Sequence, residues 1–67
     1  MVLQSCRITL TNQNIFICQS VEHSLYLLEA EFNNGISKVK IDASDGYDIH
    51  SYHFDLIEES IESLMNL

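Results

Sequence analysis

SVEHSLYLLEAEFNN, residues 20–34, carries two incompatible periodicities. Read as a helix, it places Val21, Leu25, Leu28 and Phe32 on one face, with Ser20 as N-cap and Gly35 as the C-terminal stop. Read as a strand, it alternates Tyr26, Leu28, Ala30 and Phe32 against Leu25, Leu27, Glu29 and Glu31, and Asn34-Gly35 becomes a hairpin turn. Leu, Glu and Ala favour helix, and no residue from Glu22 to Glu31 is β-branched, which tilts the segment towards helix. The helical reading predicts an α+β chain of order ββαββα. The strand reading predicts a five-strand meander closed by one helix.

On the N-terminal side, SCRITLT at residues 5–11 alternates Cys6, Ile8 and Leu10 against Arg7, Thr9 and Thr11, the pattern of a half-buried strand. Asn12, Gln13 and Asn14 supply turn chemistry before the β-prone run IFICQ at residues 15–19, so a hairpin is expected. Two registers are open: Leu10 facing Ile15, which turns Cys18 away from Cys6, or Leu10 facing Phe16, which brings Cys18 into the core opposite Ile8. On the C-terminal side, ISKVKI at residues 36–41 is a clean strand, with Ile36 out of phase with Val39 and Ile41. Asp45-Gly46 marks a turn, and a fourth strand runs to about Phe54, making a second hairpin.

The last segment is an amphipathic helix. Asp55 with Glu58 three residues on predicts a capping box at its start. Leu56, Ile57, Ile61, Leu64, Met65 and Leu67 form its apolar side, and Asp55, Glu58, Glu59 and Glu62 its acidic stripe. The sheet of three to five short antiparallel strands therefore carries this helix packed on one face.

With 67 residues the chain is one domain with a thin core, and no repeat, linker or low-complexity run is evident. Apolar residues make up 46% and charged residues 19%, which excludes a disordered chain. So apolar a small domain either exposes some of its Leu and Ile or covers them with a partner or a second copy. Two cysteines are too few for a disulfide framework. Met1 opens the sequence without a basic or long apolar leader, so an intact N-terminus and a cytoplasmic location are expected.

The net charge of -7 is lopsided: Arg7, Lys38 and Lys40 balance Glu22, Glu29 and Glu31, and everything after Lys40 is acidic or neutral. Such a chain is not expected to bind nucleic acid directly or to seek anionic membrane. No catalytic or cofactor-binding set is expected either. Gly35 and Gly46 sit in no phosphate-loop pattern, and no serine lies in a nucleophile elbow. Cys6, Cys18, His23, His50 and His53 lack ligand spacing for zinc, and the acidic turn from Asp42 to Asp48 fails the calcium-loop pattern at both ends.

What remains is surface. Glu58 and Glu62, and Asp55 and Glu59, are like-charge pairs one helical turn apart with no compensating cation, and each costs about 0.2–0.5 kcal/mol. The expected function is a small acidic, non-catalytic module that uses Asp45, Asp48, Asp55, Glu58, Glu59 and Glu62 to engage a basic partner protein. Its sharper form is an inhibitor that fills a nucleic-acid-binding groove by charge mimicry. In composition the chain looks like the small acidic inhibitors that phages and mobile elements encode. The alternative is a homodimer or accessory subunit held by Leu25, Leu27, Leu56, Met65 and Leu67, with the acids only solvating it.

Overall fold

The computed structural model describes residues 1–67. It contains β1 (Val2–Leu10), β2 (Ile15–Cys18), α1 (Val21–Ala30), a 3-10 turn (Phe32–Asn34), β3 (Ile36–Ser44), β4 (Ile49–Phe54) and α2 (Ile57–Met65). The middle segment is thus helical and the order is ββαββα, so the five-strand meander is excluded. Ser20 caps α1, its hydroxyl accepting the His23 amide at 3.1 Å. Phe32 falls outside the helix, in the 3-10 turn that leads to Gly35.

The four strands form one antiparallel sheet in the order β2-β1-β3-β4. Both helices cover the same face. Leu28 of α1 and Leu64 of α2 close a core built from Leu3, Cys6, Ile8, Leu10, Cys18, Val39 and Ile41. The opposite face has no cover.

Neither expected hairpin register occurs. Cys6 pairs with Cys18 and Ile8 with Phe16. The cause is a three-residue loop: the Leu10 amide donates to Asn14 O at 2.8 Å and the Gln13 amide to Leu10 O at 3.0 Å, with Gln13 at φ 74°. This is a tight turn followed by a left-handed residue, so Leu10 faces Asn14 and the strands shift accordingly. Cys18 does face the core, as the second register requires, but its partner is Cys6.

Two bulges defeat simple alternation. Register shifts fall between Leu3 and Ser5 and between Thr9 and Leu10, leaving Gln4 on β1 and Ser37 on β3 as the extra residues. Each reverses the side-chain parity beyond it. Leu3 therefore joins Cys6, Ile8 and Leu10, and Ile36, out of phase in sequence, packs against the core opposite Leu10.

The predicted capping box at Asp55 does not form. The N-cap of α2 is Leu56, with no side-chain hydrogen bond, and Ile57 is the first helical residue. Phe54 is still paired to Val39 in the sheet. Moving from the sheet to the helix layer, roughly 10 Å away, takes about three extended residues, and a cap at Asp55 would allow only two.

The two halves of the chain are equivalent. The Cys6–Cys18, Arg7–Ile17 and Ile8–Phe16 pairs correspond to Val39–Phe54, Lys40–His53 and Ile41–Tyr52. Gln4 corresponds to Ser37, and Val21, Ser24, Leu25 and Leu28 of α1 correspond to Ile57, Ser60, Ile61 and Leu64 of α2. Applied to the β1–β3 pairs, this correspondence exchanges Cys6–Ile41 with Ile8–Val39 and maps Arg7–Lys40 onto itself. An approximate two-fold axis normal to the sheet therefore passes through the Arg7–Lys40 pair. The chain is a structural repeat of two ββα units that its sequence does not display.

Candidate functional site

Each helix rests on the sheet through a small residue. Ser24 and Ser60 are fully buried, one turn from Leu28 and Leu64, and their hydroxyls donate back into their own helices, to Ser20 O at 2.8 Å and Ile57 O at 2.6 Å. These serines let the helix backbones come close to the sheet without leaving a polar group unpaired. Ser24 lies against Cys6 and Cys18, whose thiols are pushed up by burial against the lowering effect of its hydroxyl.

The expected apolar faces largely hold, with Val21, Leu25 and Leu28 on the α1 side and Ile57, Ile61, Leu64 and Leu67 on the α2 side packed into or against the core. The departures fall at the ends of the helices. Leu25 is only half-buried, Phe32 in the 3-10 turn is 58% exposed, Met65 at the end of α2 is 70% exposed and Leu56 at its N-cap is 61% exposed. Partly buried and exposed side chains meet between the helices. Leu25, Glu29 and Phe32 from the α1 side and Ile61 and Met65 from α2 line a groove of about 440 Å³, floored by Leu28. Phe32 continues it into a second hollow bounded by Ile36, Leu56 and Ile57.

Carboxylates border the groove on both sides. Glu22 lies on the same side of α1 as Glu29, two turns before it, and Glu58 and Glu62 lie one turn from Ile61 and Met65 on the solvent side of α2. Neither helix contains Lys or Arg.

The six acids expected at a partner surface separate. Glu58 and Glu62 flank the groove, whereas Glu59 projects from the other side of α2. Asp55 is exposed between β4 and α2, next to Leu56. Asp45 and Asp48 lie at the opposite end of β4, five residues or about 17 Å away along the strand.

Asp45 is committed to its own turn. Its carboxylate accepts the Asp48 and Tyr47 amides, both at 2.8 Å, and lies 2.8 Å from His50 Nε2. The Asp48 amide, then His50, then the Tyr47 amide hold it well below the usual carboxylate range. On the uncovered face, Asp42 accepts Ser51 Oγ at 2.6 Å and Ser5 Oγ at 3.1 Å, and the Ser51 bond is the main cause of its lowered pKa.

A depressed carboxylate stabilises the fold above its unfolded pKa, near 3.8, and that contribution is lost as pH falls towards the folded value. Thermal melts should therefore show Tm declining as pH falls below about 4. The Asp42→Asn/Asp45→Asn double variant should start lower at neutral pH and fall less on acidification. A double variant with an unchanged acid limb would show that these two groups do not carry the dependence.

Among the groups considered for metal, Cys6 and Cys18 face each other in the core, His50 is held by Asp45 and His53 lies on the uncovered face. No three Cys, His, Asp or Glu side chains converge as ligands. Neither helix is long and apolar enough to cross a membrane.

The expected dimer residues also divide. Leu27 and Leu67 pack partly against the core, Leu25 and Met65 line the groove, and Leu56 stands at its end. The sequence features that could have revealed the groove are Ser24 and Ser60, each four residues before a Leu. No family model, curated protein or solved structure matches the chain.

Proposed function

We propose that the chain is a small, non-catalytic cytoplasmic binding module whose interhelical groove receives a basic amphipathic helix of a partner protein. Where the partner uses that helix against a phosphate backbone, occupation of the groove makes the module an inhibitor. One observation carries this reading: an apolar groove bordered on both sides by carboxylates, in a helix layer without a single Lys or Arg.

Such a groove suits a helix that presents apolar residues at i, i+3 or i+4, and i+7 to Leu25, Phe32, Ile61 and Met65. Lys and Arg on the flanks of that helix would meet Glu22 and Glu29 on one side and Glu58 and Glu62 on the other. Glu58 and Glu62 are one helical turn, about 5.4 Å, apart and present a charge row that a phosphate-binding helix can follow. A symmetric dimer through the same groove is disfavoured, because it would set each copy's carboxylates against the other's.

The test is titration with a synthetic helical peptide carrying Leu at those spacings and Lys or Arg on both flanks, followed by NMR. Resonances of Leu25, Phe32, Ile61 and Met65 should shift saturably. Phe32→Ser should weaken binding about tenfold or more, the loss expected of an aromatic anchor. Glu29→Gln with Glu62→Gln should weaken it severalfold and flatten its salt dependence. Binding unaffected by either set, or no saturable binding, would overturn the proposal.

A further inference from the structure

On the uncovered face of the sheet, opposite the groove, lie all of the chain's strong cations. Arg7 on β1 and Lys40 on β3 are directly paired on the approximate two-fold axis, His53 on β4 is paired with Lys40, and Lys38 stands one step along β3 beside Thr9. They line a hollow of about 370 Å³. Arg7, distant in sequence, thus joins Lys38 and Lys40 in a protein of charge -7, while only two of its ten acids, Asp42 and Asp55, border them. The other eight acids lie on the helices and turns.

Folding does not call for this arrangement. Like charges directly opposite on neighbouring strands destabilise a sheet. The only carboxylate near any of these cations in salt-bridge range is Asp42, 4.0 Å from Lys40 Nζ and already bonded to Ser5 and Ser51. Arg7 and Lys38 have no ionic partner.

We infer that Arg7, Lys38, Lys40 and His53 form a binding site for a compact phosphate-bearing small molecule. The guanidinium of Arg7 supplies a planar fork for two phosphate oxygens, Lys38 and Lys40 supply ammonium groups, and Thr9 a hydroxyl. The size of the patch sets the ligand class. It spans two strand spacings by one side-chain repeat, about 10 by 7 Å, which accommodates one or two phosphoryl groups. Along the strands it ends at carboxylates, Asp42 on one side and Asp55 on the other. A nucleic-acid strand running past the hollow would bring further phosphates onto these acids, so a polyanion is disfavoured. The site is independent of the interhelical groove, which lies on the other face.

The experiment is an NMR titration of the whole protein with inorganic pyrophosphate, and separately with inorganic phosphate, at constant ionic strength. Saturable shifts confined to Arg7, Thr9, Lys38, Lys40 and His53, with pyrophosphate the tighter ligand, are expected. Arg7→Gln should weaken pyrophosphate about tenfold, the loss of one bidentate charged contact, while leaving Tm unchanged or raised because Lys40 loses a like-charged neighbour. Lys38→Gln, at the edge of the pair, should weaken it severalfold and gives the same readout should Arg7→Gln fail to fold. Shifts that do not saturate, or equal affinity in wild type and both variants, would overturn the site. A short single-stranded oligonucleotide binding more tightly than pyrophosphate would overturn the ligand class. Concentration-dependent shifts at the same residues without added anion would assign the face to the acidic helix layer of a second copy instead.

Discussion

Leu28→Ala should cost about 2–5 kcal/mol, the range for emptying a fully buried leucine site. A chain of 67 residues has a total stability of about 3–10 kcal/mol, so the substitution removes a large share of it. Leu28 is completely buried, and α1 has only two fully enclosed side chains with which to hold the sheet; the other is Ser24. The cavity would open beneath the groove, where half-exposed neighbours give little material to refill it. In urea, the midpoint should fall by roughly half with little change in slope. Because Leu64 occupies the equivalent position on α2, Leu64→Ala should behave alike. A loss below about 1 kcal/mol at both positions would mean that the helices are held by their half-buried residues and not by these two anchors.

The order of elements was legible because each carried a local signal. Ser20 stands before a segment without β-branched residues, Asn12 to Asn14 and Asp45-Gly46 interrupt alternating runs, and the terminal helix has a strong apolar periodicity. Register was not legible. It depends on Gln13 taking a left-handed conformation and on Gln4 and Ser37 bulging, and none of these residues advertises that role as a glycine would. The start of α2 lies one residue beyond the position that the sequence favours, for a related reason. Capping chemistry favours Asp55, but the number of residues needed to leave the sheet is a property of the tertiary structure.

The site was half legible. The acidic residues of α2 were evident, and so was a surplus of apolar side chains, but the two looked like competing explanations. Periodicity alone assigns Leu25, Phe32, Leu56 and Met65 to the core. The structure leaves Leu25 only half-buried against the core, puts Phe32 in the 3-10 turn and Leu56 at the N-cap, both outside the helices, and leaves Met65 exposed at the groove. Acid and apolar surface then become parts of one groove. The basic hollow was less visible still, since Arg7 is far from Lys38 and Lys40 in sequence and is joined to them only by the β1–β3 pairing.

The groove depends on a glycine that does not line it, and Gly35→Ala should cost about 2–4 kcal/mol, combining backbone strain with a steric clash. Gly35 has φ 84° and ψ 106°, a conformation that side-chain-bearing L residues rarely adopt. An added Cβ would stand 2.8 Å from Thr11 Oγ1 and 3.3 Å from its Cγ2. Thr11 cannot retreat freely: its amide donates to Gly35 O at 2.9 Å and its hydroxyl reaches Asn34 O at 3.5 Å, tying the first hairpin loop to the 3-10 turn. Adding Thr11→Ala removes both contacting atoms, so the double variant should recover the steric part and retain the backbone part. The Gly35 amide also closes onto Phe32 O at 3.4 Å, and the turn it ends is what holds Phe32 at the groove. Gly35→Ala should therefore weaken the basic helical peptide severalfold in protein that is still folded, although no groove residue has changed. Unaltered stability together with unaltered peptide affinity would show that the 3-10 turn can re-form around an alanine and that Phe32 is placed by its own packing.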